Sequence, residues 1–94
     1  MGSIAYGQEE TKYFYTRQEC GPALVLLQNI VDNYNEEALF TGSNVSFGVD
    51  GMPYQGAGLF LVNQDTGTWS MLTMYGDGTA CLTALGTEFE PYVD

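Results

Sequence analysis

Apolar residues in this chain change their spacing once, near Glu36, and that switch limits the folds open to it. Before it, Ala23, Leu24, Leu27, Ile30, Val31 and Tyr34 follow the i, i+3, i+4, i+7 spacing of one buried helix face, with Gln28, Asn29 and Asp32 opposite. After it the spacing falls to two, the period of a strand whose side chains alternate between faces. One helix followed only by strand patterns predicts an α+β fold, with an amphipathic helix packed on an antiparallel β-meander of about four to five strands.

Local signals divide the elements. Residues 12–16 (Lys-Tyr-Phe-Tyr-Thr) are aromatic and β-prone and read as a short first strand. Glu19-Cys20-Gly21-Pro22 reads as a helix opening, with Pro22 in the first turn and Glu19 at the positive end of the helix dipole. Asn33 and Asn35 supply the residues expected where the helix stops. Residues 38–41 and 45–47 are short strand candidates separated by Gly42-Ser43-Asn44, and the glycine-rich stretch 48–58 reads as a loop. Three firmer strands follow at residues 59–62, 68–75 and 79–85. Their turns are 63–67 and Gly76-Asp77-Gly78, the latter holding the Asp-Gly pair favoured in tight hairpins.

The chain has 94 residues with two Lys or Arg against twelve Asp or Glu, a net charge of −10 and no histidine. Lys12 and Arg17 alone cannot displace the counterions of a phosphate backbone, so direct nucleic-acid binding is excluded, as is attraction to an anionic membrane surface. No apolar run approaches the roughly 18 residues of a membrane span. The lack of histidine removes Ser-His-Asp, Cys-His and His-Cys zinc sites, and no glycine-rich phosphate cradle is present. No cofactor is expected. An apolar fraction of 45% is too high for a disordered acidic tail.

Met1-Gly2-Ser3 reads as a cloning scar, and Ile4-Ala5-Tyr6-Gly7 as the end of a secretory signal, with small Ala5 and Gly7 at the positions a signal peptidase inspects. Residues 1–7 are therefore set apart from a single domain over residues 8–94. Cys20 and Cys81 allow one pairing, and in a secreted chain the natural reading is a disulfide between them; two buried reduced thiols are the alternative. Such a bond would pin the first helical turn to the last strand. A nucleophilic Cys20 would lack a histidine base.

Cys20-Gly21 at the helix, Thr66-Gly67-Thr68-Trp69 at a hairpin, and Asp77-Gly78-Thr79-Ala80-Cys81 followed by Gly86 form a pattern. From Cys20 to Gly86 it resembles that of small signal-peptide-bearing proteins of alphaproteobacteria and related marine bacteria and phages. In those chains a proline commonly precedes the Asp-Gly pair, where this sequence has Gly76. The resemblance implies secretion and cysteine pairing, and implies no catalytic activity.

These readings favour a secreted or periplasmic, non-catalytic protein that binds a protein or glycan partner. Seven tyrosines and Trp69 are candidates for an aromatic contact surface, although core packing also uses such residues. Two other classes compete with this reading. A cytosolic acidic mimic of nucleic acid would account for the charge, but only Glu9-Glu10 and Glu36-Glu37 are adjacent carboxylates. A hydrolase would need a carboxylate pair such as Glu36 and Asp77 across a cleft. Asp65 and Asp77 lie in turns where aspartate serves the backbone, so calcium ligation is not expected. Asn44-Val45-Ser46 matches a glycosylation acceptor that a bacterial chain would leave unused.

Overall fold

A computed structural model describes residues 12–93. The sequence readings of residues 1–7 as scar and signal end lie outside these residues. The elements run β1 (Glu19–Pro22), α1 (Ala23–Tyr34), β2 (Glu37–Phe47), β3 (Pro53–Val62), β4 (Trp69–Met74) and β5 (Thr79–Gly86). All neighbouring strands are antiparallel in one five-stranded sheet of order β1-β5-β4-β3-β2. The fold is α+β, one helix on a meander, with β1 returning to the far edge beside β5.

The helix begins and ends for local reasons. Pro22 lies just outside the first turn, at the N-cap with φ −57°, and the freed N–H of Ala23 donates to the Gly78 carbonyl at 2.8 Å. Asn35 closes the helix in the left-handed conformation, its N–H donating to Val31 at 3.0 Å; asparagine tolerates that geometry better than most residues. Ile30 and Leu27 seat the helix on Leu61, Leu72, Leu59 and Leu82 of β3 to β5. The buried stripe is narrower than the apolar spacing implied. Leu24 is 81% exposed, and Val31 and Tyr34 are exposed as well. The helix packs chiefly toward β1 and β5, and these side chains fall on the flank left uncovered.

Four expectations are corrected. Residues 12–16 form no strand and are exposed: their aromatic β propensity has no partner strand to pair with. Glu19 to Pro22, read as a helix opening, is a strand paired residue by residue with β5. Residues 38–41 and 45–47 are parts of one strand, since Gly42 and Asn44 pair across Gly58 and Gly56 without a turn. Much of the stretch 48–58 is therefore β3 rather than loop, with a tight turn only at residues 48–52.

The glycines that suggested a loop have another use. A Cβ on Gly56 would lie 2.8 Å from both the Met74 carbonyl and the Thr73 methyl. Gly56 needs a bare backbone inside a strand, a recognised use of strand glycine. Gly67, by contrast, needs its positive φ of 83° to close the β3–β4 turn. Asn63 organises that turn. Its Oδ1 accepts the N–H groups of Asp65 and Thr66, and its Nδ2 donates to the Tyr34 carbonyl at 3.0 Å, tying the hairpin to the helix end.

Candidate functional site

With the helix on one face, the register fixes what the other face presents. Phe40, Gly42 and Asn44 of β2 stand beside Phe60, Gly58 and Gly56 of β3, then Met71, Thr73 and Trp69 of β4, then Cys81 and Gly86 of β5. None of these side chains carries a charge. Glu37 meets the face only at its corner, opposite Val62. An uncharged open face contrasts with the chain's net charge of −10.

Two ladders cross this face. The first is aromatic: Phe40 stacks on Phe60 at 5.0 Å with planes 3° apart, and Phe60 on Trp69 at 5.6 Å and 17°. Phe89 closes onto Phe60 at 6.0 Å. It gets there because the chain turns at Glu88, φ 60°, and the Phe89 N–H donates to the Gly67 carbonyl at 2.9 Å. Trp69 lies over Gly86, where a Cβ would come within 2.6 Å of the indole, and its Nε1 donates to the Thr87 carbonyl at 3.2 Å. Such aromatic pairs contribute about 0.5–1.5 kcal/mol each beyond area burial.

The second ladder is polar. Asn44 on β2 reaches over Gly58 to donate from Nδ2 to Thr73 Oγ1 at 3.0 Å, and Thr73 Oγ1 lies 3.1 Å from Thr83 Oγ1. Between the two ladders Gly42 and Gly58 leave a trough of about 200 Å³, lined also by Phe40, Phe60, Met71 and Thr73. Phe40, at the outer end of the stack, is 57% exposed.

Cys20 and Cys81 are directly opposed on β1 and β5, 4.0 Å apart at Cα, and are joined as a disulfide. The bond pins β1 to β5, not the helix's first turn as expected, because β1 ends where the helix begins. A formed disulfide is characteristic of oxidising compartments such as the periplasm or the extracellular space. Among the described residues no helix is long and apolar enough to cross a membrane.

The carboxylates weighed in the sequence fall apart in space. Glu36 follows α1 beside the end of the sheet where β4 starts, whereas Asp77 occupies the turn after β4 ends. A strand of β4's length separates them, about 20 Å at a rise of about 3.3 Å per residue. Asp77 is committed to its turn: Oδ1 accepts the Thr79 N–H at 2.9 Å, and the backbone and hydroxyl of Thr79 hold its carboxyl below the usual aspartate range. Glu36 is buried, 3% exposed. Sequence reasoning singled out Trp69 and the tyrosines for a contact surface, but not the phenylalanines that dominate it. The signal lay in the alternation of Phe40, Gly42 and Asn44 against Gly56, Gly58 and Phe60, which the glycines disguised as turns. Comparison with family models, curated proteins and solved structures returns no match.

Proposed function

We propose that this chain is a small secreted or periplasmic, non-catalytic protein that binds a partner protein through the open face of its sheet. The observation that carries the reading is the uncharged trough beside the aromatic ladder. At about 200 Å³ it offers room for about seven waters at about 30 Å³ each, or for one large apolar side chain. Interfaces concentrate their affinity at such anchors, where an apolar side chain enters a pocket and surrounding contacts keep water out.

A protein partner is favoured over a glycan by the ring geometry. Phe40, Phe60 and Trp69 turn their faces toward one another at spacings close to the interstrand distance. A sugar ring needs an open aromatic face, and the stack leaves only that of Phe40. Ring edges and a trough suit the side chains of a protein surface. With Glu37 at the corner of an uncharged centre, in a chain of net charge −10, the fitting partner has an apolar centre and a basic rim. The disulfide and the resemblance to signal-peptide-bearing proteins support the compartment.

The test is a comparison of variants on envelope extract. Phe40→Asp places a charge at the exposed end of the stack, and Leu24→Asp places one on the exposed helix flank. Capture of one defined protein by the wild type and Leu24→Asp, but not by folded Phe40→Asp, supports the reading. Equal capture by both variants refutes it. Loss of a homodimer in Phe40→Asp would instead give the face to a second copy and remove the partner reading.

A further inference from the structure

The helix does not cover all of its own side of the sheet. Between α1 and the strands β1, β5 and β4 lies a cleft of about 330 Å³, near the lower end of the range for small-molecule sites, about 300–1,000 Å³. Leu26 of the helix and Leu82 and Leu85 of β5 supply apolar lining. Asn29 and Ser70 add neutral polar groups, and Glu19 on β1 contributes a carboxylate.

Glu36, the residue after the helix cap, also lines this cleft. It is 3% exposed, and its Oε1 is shut off from solvent with no hydrogen-bond partner. At Oε1 the Glu36 carboxyl loses hydration and receives no hydrogen bond in return, an arrangement that structures seldom retain without a use. No Lys or Arg lines the cleft to neutralise it. Every formal charge in the lining is negative, and four aliphatic side chains, Leu26, Ile30, Leu82 and Leu85, stand among neutral polar and aromatic residues in the rest.

We propose that this cleft binds a small organic ammonium ion, with Glu36 as the counterion and the leucines holding the apolar body. A divalent metal is a poor fit. Calcium takes about six to eight oxygen ligands, and among the described residues no group of three metal-ligating side chains occurs. An alkylammonium needs only one carboxylate and a few carbonyl or amide oxygens for its three N–H donors, with aliphatic contact for the rest. Trp69 and Gly86 of the aromatic ladder also line this cleft, so the two readings are told apart by their variants, Glu36→Gln for the cleft and Phe40→Asp for the open face.

The probe is n-pentylammonium chloride, with 1-pentanol as its uncharged counterpart, titrated into isotopically labelled protein at physiological salt and followed by amide chemical shifts. Saturable shifts confined to residues such as Asn29, Ile30, Ser70 and Leu82 are expected with the ammonium, and weaker ones with the alcohol. Glu36→Gln keeps the shape and removes the charge, and should weaken ammonium binding about ten-fold or more. Glu37→Gln, next in sequence and exposed, makes the same change in net charge and should leave binding as it was. Equal weakening in the two variants, shifts scattered over the acidic surface, or no saturation would overturn the proposal. If Glu36→Gln does not fold, the wild-type comparison decides, because equal affinity for pentanol and pentylammonium also overturns it.

Discussion

Reducing the Cys20–Cys81 disulfide should cost this protein a large share of its stability. The two cysteines are 61 positions apart, and the chain-entropy relation for a loop of that length gives about 4 kcal/mol. Domains of this size have a total of roughly 5–15 kcal/mol. The structure adds where the loss should fall. β1 is four residues long and pairs only with β5, whereas β5 keeps β4 on its other side. Freed of the bond, β1 should fray first and take the first turn of α1 with it, since Ala23 holds to Gly78 by a single backbone bond. The assay is urea unfolding of the oxidised chain against the same chain kept in a non-thiol reductant, with hydrogen exchange on both. At an m-value of about 1–1.5 kcal/mol/M, the midpoint should fall by about 3 M. Protection should fall most at residues 19–24 and least at Leu61 and Leu72. A stability change below about 1 kcal/mol would refute the loop-entropy reasoning, and an even loss of protection would refute the local account.

Gly86→Ala should displace the indole of Trp69, because the new methyl would lie 2.6 Å from it; near-UV circular dichroism should change and stability should drop by about 1–3 kcal/mol. Unchanged dichroism would show that Trp69 does not lie over that backbone. Leu72→Ala removes a side chain that is fully enclosed in the small core and should cost about 2–5 kcal/mol, read from urea unfolding; a loss under 1 kcal/mol would mean that the site collapses freely. Asp77 should titrate below the ordinary aspartate range by NMR. Its folded carboxyl is lowered, so its stabilising contribution to the hairpin is present above the unfolded aspartate range, about pH 4, and is lost as pH falls through the folded value. Asp77→Asn should abolish that part of the acid sensitivity at the Thr79 amide.

How much was legible can be judged element by element. The helix from Ala23 to Tyr34 was readable because a 12-residue amphipathic run with an asparagine stop depends on its own neighbours. The β4–β5 hairpin was readable for the same reason, its Asp77-Gly78 turn being set by local φ preferences. β1 was misread because Gly21 and Pro22 favour a break whatever precedes it, and only the presence of β5 alongside makes Glu19 to Pro22 a strand. The open face was missed as a face. Its aromatic ladder needs Phe40 and Phe60, twenty positions apart, to stand side by side, and Gly56 and Gly58 look like loop residues until Asn44 is seen reaching across.

By itself, then, the sequence determined what depends on neighbours along the chain: the α+β class, the helix, the hairpin turns, the acidic balance and the single possible cysteine pairing. Only the tertiary structure decided the strand order, the continuity of β2, the uncharged open face and the burial of Glu36. Each of these is set by which distant backbone lies alongside, and local preferences of about 1 kcal/mol or less yield to the pairing and packing energy of a whole sheet.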